Sequence, residues 1–93
     1  MVIGVIRWEI QVYEAQSLKA KRAVVRSLKD RLRSRLNVSV AETGSHDLWQ
    51  KAELSACALA ADRRQLDSIL DNADRLVESE VRGRIMGTDR IYY

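Results

Sequence analysis

The 93-residue sequence predicts an α+β domain whose elements follow the order β-α-β-β-α-β. Two observations predict this class. Apolar and polar residues alternate with a period of two over the first dozen positions, which is typical of a half-buried strand. Two later segments repeat apolar residues every three or four positions, as one face of a helix does. We therefore expect a domain in which helices cover one face of a sheet.

The first strand runs from Val2 to Val12 and is rich in β-branched residues. Alternate side chains of a strand point to opposite faces of the sheet, so either the even-numbered or the odd-numbered residues must face the core. We expect the even-numbered set to do so: Val2, Gly4, Ile6, Trp8, Ile10 and Val12. The odd-numbered set, which includes Ile3 and Val5, then lies on the other face.

The first helix follows Ser17, whose hydroxyl can accept a hydrogen bond from a free amide of the first turn. Asn37 is a candidate left-handed residue at the other end of the helix. Four apolar residues spaced three or four apart form the expected buried face: Val25, Leu28, Leu32 and Leu36.

A hairpin comes next. The residues from Val38 to Thr43 form a short second strand, and the residues from Ala52 to Ala60 form a third. Between them, Gly44 to Gln50 is rich in turn-forming residue types, which predicts a loop.

The second helix begins after Asp62, a candidate N-cap, and ends near Gly83. The final segment, RIMGTDRIYY, has strand composition, and Gly87 is a candidate site for a β-bulge. The apolar face of the second helix consists of Leu66, Ile69, Leu70, Ala73, Leu76 and Val77.

This order predicts a ferredoxin-like fold, with a four-stranded antiparallel sheet and both helices on one face. Right-handed crossovers place the first and third strands in the centre of the sheet. We expect residues 1–93 to form this single domain, because the chain is too short to divide. The other sheet face then carries Ile3, Val5, Leu59 and Cys57. These are either ordinary scattered apolar residues or part of an interface with a second copy or another protein.

The formal charge of +3 conceals a division between the two helices. The segment from Lys19 to Arg35 has eight cations and one acid, whereas the segment from Asp62 to Glu80 has six acids and three cations. Five of these cations fall along one flank of the first helix, and we call them the basic stripe: Lys19, Arg22, Arg26, Lys29 and Arg33.

Two interpretations of the basic stripe remain open. Like charges three or four residues apart destabilise a helix slightly, and binding to a phosphate backbone would offset that cost. Alternatively, acids of the second helix neutralise part of the stripe, and the remainder is a solvated face that aids solubility.

The sequence contains no recognisable catalytic constellation, and we expect a protein that is not an enzyme. His46 lies between Ser45 and Asp47, but adjacent residues cannot easily adopt the geometry of a catalytic triad. One histidine and one cysteine cannot supply three or four ligands of a zinc site, and no glycine-rich phosphate loop is present. We therefore predict no metal site and no cofactor.

Aromatic and polar residues cluster in the hairpin loop, in a group that we call the recognition loop: His46, Asp47, Trp49 and Gln50. An indole in a loop often covers the core. It can also stack on a ligand, beside side chains that form directional hydrogen bonds.

Several segments together resemble the YlxP-like family of small bacterial proteins, a family usually labelled as a domain of unknown function. The resemblance covers nearly the whole chain. Its most specific parts are Ser17 to Lys19 with Lys21 and Arg22, the run Asn37 to Glu42, and Asp47 with Trp49 and Gln50. It implies a ferredoxin-like fold and a gene setting among transcription and translation factors. It implies no established activity.

These features predict a cytoplasmic binding module that contacts RNA or a ribonucleoprotein through the basic stripe, while the recognition loop adds specificity. The alternative is a homodimer or another protein-interaction module that uses the open sheet face without nucleic acid. No apolar run is long enough to cross a membrane, so no membrane partner is expected.

Overall fold

The computed structural model describes residues 1–13 and 15–93. The elements follow the predicted order, and the sheet has the strand order β2-β3-β1-β4 with every neighbouring pair antiparallel. The ferredoxin-like α+β fold and the central position of β1 and β3 are therefore confirmed. The bounds are β1 Val2–Val12, α1 Leu18–Arg35, β2 Ser39–Gly44, β3 Lys51–Ala60, α2 Arg63–Glu80 and β4 Gly83–Tyr92.

Strand β1 places its even-numbered side chains against the helices, as its alternation predicts. Ile6 and Trp8 have no exposed surface. The indole nitrogen of Trp8 donates a hydrogen bond of 2.9 Å to Asp74 Oδ1 on α2, so the largest core side chain has its polar group satisfied.

Both predicted N-caps are confirmed. Ser17 Oγ accepts a hydrogen bond from the Ala20 amide, and Asp62 Oδ1 accepts one from the Gln65 amide. The predicted left-handed cap at Asn37 is wrong. Helix α1 ends at Arg35, Leu36 is already extended, and in the described residues Ser45 is the one non-glycine with a positive φ.

The bulge expected at Gly87 lies beside that residue. Glu9 pairs with Gly87, and Ile10 pairs with Ile85, so Met86 is the extra residue of β4. Gly83 has a different role, because a Cβ atom there would lie only 2.0 Å from the carbonyl oxygen of Gln11. Glycine at this position allows the start of β4 to lie close to the end of β1.

Helix α2 packs across β1 and β3, and α1 packs over β2 and against α2. The buried face of α1 contains Val25, Leu28 and Leu32 as predicted, but it also contains Lys21. Neither helix in the described ranges is long and apolar enough to cross a membrane.

Candidate functional site

The basic stripe lies on the flank of α1 that faces away from α2. Its side chains are largely exposed, with Lys29 partly covered. Lys19, Arg22, Arg26 and Lys29 form no ion pair with any residue in the part of the chain that the structure describes. Four cations therefore lie along one helix flank, over roughly 15 Å at a rise of about 1.5 Å per residue.

The acids of α2 do not reach the basic stripe. Glu80, at the end of α2, instead contacts two other arginines of α1. Its carboxylate lies 2.7 Å from Arg35 Nη1 and 3.6 Å from Arg31 Nη1. Apart from Lys21, the cations of α1 thus divide into two arginines that face α2 and share Glu80, and a stripe on the opposite flank.

Arg33, the last residue of the stripe, differs from the other four. Its Nη2 donates a hydrogen bond of 3.0 Å to the Val40 carbonyl oxygen, and its Nη1 lies 3.9 Å from Asp30 Oδ1. One nitrogen of this guanidinium is therefore hydrogen-bonded to strand β2. The remaining part stays exposed beside the other cations.

The Val40 carbonyl lies on the open edge of the sheet. Gln50, just before β3, accepts a hydrogen bond at its carbonyl oxygen from the Val12 amide of β1. Backbone groups alternate in direction along a strand, so the even-numbered residues of β3 direct theirs toward β1 and the odd-numbered residues direct theirs toward β2. By the same alternation, Val40 and Glu42 of β2 direct theirs away from β3. Both outward carbonyls accept side-chain hydrogen bonds, Val40 from Arg33 and Glu42 from His46 Nε2 at 3.0 Å.

The recognition loop begins with a tight turn. Ser45 has a φ of 59°, and the Leu48 amide donates to the Ser45 carbonyl at 3.1 Å. Asp47, Trp49 and Gln50 line one shallow groove together with Leu48 and Lys51. The structure thus brings three of the four predicted loop residues together.

His46 points elsewhere, toward the edge of β2. The indole of Trp49 does not cover the core, because Trp49 is 51% exposed and Leu48 beside it is 50% exposed. An open aromatic and aliphatic surface at a loop suits stacking on a ligand.

A buried ion pair joins α1 to the end of β2, where this loop begins, and the sequence reasoning missed it. Lys21 is only 1% exposed, and its ammonium lies 2.9 Å from Glu42 Oε2. The same ammonium donates a hydrogen bond of 2.5 Å to the Ser45 carbonyl. Glu42 Oε2 accepts no hydrogen bond from any described residue, so its contact with Lys21 is an ion pair alone. Lys21 therefore fixes the start of the loop beside the N-terminal end of the stripe, next to Arg22.

A signal for this pair was present in the sequence. Lys21 stands four residues before Val25, so it falls on the apolar face of the helix. Glu42 stands two residues after Val40, so it falls on the covered face of β2. A cation and an acid that both point into a core are expected to pair.

The described ranges hold no group of three or more histidine, cysteine, aspartate or glutamate side chains that could bind a metal ion. The geometry instead defines a small ferredoxin-like α+β fold with a cationic helix flank beside a hairpin loop that is hydrogen-bonded to α1.

The chain belongs to the family described as "Protein of unknown function (DUF503)", whose family model matches residues 3–90. It is also 33% identical over 78 residues to the uncharacterized protein YlxP of Bacillus subtilis (strain 168), across 84% of this chain and 85% of that relative. The resemblance to the YlxP-like family is therefore confirmed.

Proposed function

We propose that this protein binds structured RNA or a ribonucleoprotein through the basic stripe of α1, with the recognition loop adding specificity. The observation that carries the proposal is a set of four cations on one flank of α1, Lys19, Arg22, Arg26 and Lys29, which form no ion pair with any described residue. On the opposite flank, Arg31 and Arg35 meet Glu80. Phosphate contacts release counterions and supply affinity without reading sequence.

The loop contributes a different kind of contact. Trp49 offers an exposed ring for an unpaired base, and Asp47 and Gln50 beside it can form hydrogen bonds to base edges. Because Lys21 ties Ser45 to α1, the groove and the stripe keep one relative position. RNA with a helical stem and unpaired bases matches such a surface better than a plain duplex does.

The stripe is tested with the double variant Arg22→Glu/Arg26→Glu against the matched control Arg64→Glu/Arg75→Glu. Both change the net charge equally on exposed helix positions, but the control lies on α2. Fluorescence anisotropy with a labelled RNA stem-loop, repeated over a range of KCl concentrations, gives the affinity and its salt dependence. We expect the stripe variant to bind at least about tenfold more weakly, with a salt slope lower by about 2. The control is expected to retain the wild-type slope.

The loop is tested separately with Trp49→Ala. Loss of base stacking weakens binding of the stem-loop by about 1 to 3 kcal/mol, while binding of a blunt RNA duplex stays unchanged. Equal weakening by the stripe variant and its control would overturn the assignment to α1. Absence of binding to any RNA probe or to ribosomal subunits at low salt would overturn the proposal as a whole.

A further inference from the structure

The sheet face opposite the helices has an apolar half that nothing in the described chain covers. Strand register places Leu59, Ile3 and Tyr93 in one row across the sheet, and Cys57, Val5 and Ile91 in the next. Leu59 is 57% exposed and Ile91 is 40% exposed. Apolar side chains that lie in contiguous rows differ from the scattered exposed residues of an ordinary surface.

This face carries a groove next to a ridge. On the β2 side, Ser39, Ala41 and Ser55 are small and line a concave surface that is bordered by Val5 and Ile91. Leu59 projects from the row beside it. A two-fold axis that runs parallel to the sheets, between the ridge and the groove, places the ridge of one copy opposite the groove of the other, as self-complementary packing requires.

The charges on this face are balanced, unlike those of α1. Its three cations and three acids are Arg7, Lys51, Arg84, Glu9, Glu53 and Asp89. Arg7 donates hydrogen bonds to both carboxylate oxygens of Asp89, at 3.1 and 2.6 Å. Two copies would meet here without net repulsion, whereas a phosphate backbone would find no net attraction.

The area of the face is close to what a stable interface needs. Three strands of ten or eleven residues and one of six, at about 3.3 Å per residue and about 4.8 Å between strands, give roughly 590 Å² per copy, or roughly 1,170 Å² for two. That total is close to the lower limit of about 1,200 Å² for stable interfaces.

We propose that a second copy of this chain covers the open sheet face, with the two sheets stacked about 10 Å apart in a helix–sheet–sheet–helix dimer. This proposal does not depend on RNA binding. Both α1 helices lie in the outer layers of such a dimer, so each basic stripe remains accessible.

The test is the mass in solution, measured by sedimentation equilibrium from low to high micromolar concentration. Wild type should approach twice 10.6 kDa, and Leu59→Lys and Val5→Lys should each return it to 10.6 kDa. Ser68→Lys, on the exposed surface of α2, adds the same charge away from the sheet and should leave the dimer intact. Because Leu59 is mostly exposed, its variant should keep the wild-type circular dichroism spectrum and melting temperature.

Cys57, the one cysteine of the sequence, gives a second measurement on the unmodified chain. It lies on the proposed interface beside Val5, so its reaction with a maleimide should slow as protein concentration rises. The folded Leu59→Lys variant should lose this concentration dependence. A wild-type mass of 10.6 kDa at every concentration would overturn the proposal, as would a dimer that survives both lysine variants.

Discussion

The ammonium of Lys21 lies 2.9 Å from Glu42 Oε2, with only 1% of the lysine side chain and 16% of the glutamate side chain exposed. This pair joins α1 to β2 at the point where the recognition loop begins. The Ser45 carbonyl accepts a hydrogen bond from the same ammonium. The main consequence of the pair is for stability, because a buried ion that loses its partner is costly.

We expect Lys21→Met to lower the free energy of unfolding by about 3 kcal/mol, the lower end of the range for breaking a buried pair, because Glu42 retains some contact with water. Urea denaturation followed by circular dichroism measures this loss. The double variant Lys21→Met/Glu42→Leu should recover most of it, since no uncompensated charge remains. Additive losses in the double variant would show that the two side chains are not coupled.

Two glycines of β4 should respond in opposite ways to the same substitution. Gly83→Ala places a methyl group 2.0 Å from the Gln11 carbonyl oxygen, so we expect a loss of about 1 to 3 kcal/mol in unfolding free energy. Gly87→Ala meets nothing nearer than Glu9 Oε2 at 3.8 Å, and Gly87 has no positive φ. It should leave stability unchanged or raise it by up to about 1 kcal/mol, because alanine restricts the unfolded chain. Urea denaturation of both variants makes the comparison, and equal losses would contradict it.

Acid should weaken a contact between α2 and β4. Asp67 Oδ1 accepts hydrogen bonds from Arg63 Nε at 3.1 Å and from Tyr92 Oη at 2.9 Å, and these bonds lower the pKa of Asp67. A carboxyl whose pKa is lowered in the folded state contributes stability above its ordinary pKa of about 4, and this contribution is lost as pH falls through the folded value.

The Tm of wild type should therefore exceed that of Asp67→Asn by a constant margin above about pH 5, and the margin should shrink below about pH 4. Asp47→Asn is the control, because Asp47 is exposed on the loop and takes part in no ion pair within the described residues. If the Tm difference between wild type and Asp67→Asn did not change with pH, the charge of Asp67 would not contribute to its contact with Arg63 and Tyr92.

The side chains on the β2 edge should protect the sheet from pairing with other chains. Arg33 and His46 occupy the outward carbonyls of Val40 and Glu42, which an added strand would need as acceptors. We expect Arg33→Ala/His46→Ala to cost about 1 to 3 kcal/mol for two lost hydrogen bonds and to accelerate aggregation. Thioflavin T fluorescence at elevated temperature measures the aggregation rate.

Arg26→Ala/Asp47→Ala changes one exposed helix arginine and one loop residue but does not touch the Val40 or Glu42 carbonyl, so it is a matched control. If it aggregates as fast as Arg33→Ala/His46→Ala, the two hydrogen bonds do not protect the edge.

The fold was predictable from the sequence because its signals are repeated many times. The alternation of β1 extends from Val2 to Val12, and each helix repeats its apolar spacing over several turns. The end of α1 was less predictable, since one residue decides it. Asparagine is a residue type that often ends a helix in the left-handed conformation, which favoured Asn37. The chain instead becomes extended at Leu36 and continues into β2.

The site was predictable only in part, because sequence shows where a charge lies along a helix but not which partner it meets. Lys21 is an exception, because its spacing from Val25 already places it on the buried face of α1, whereas the adjacent Arg22 is exposed. Arg33 and His46 were expected to face a ligand, whereas each donates a hydrogen bond to β2. Such contacts depend on the distance between α1 and β2, which no local pattern encodes.

The position of β1 between β3 and β4 sets the order in which the chain can fold. This strand precedes both of its hydrogen-bonded neighbours in the chain, and each of them comes from the second half of the sequence. A nascent chain that has completed α1 and β2 therefore still has an apolar strand without a partner. Contacts so distant in sequence slow folding and leave such a strand open to misassociation until β3 has emerged.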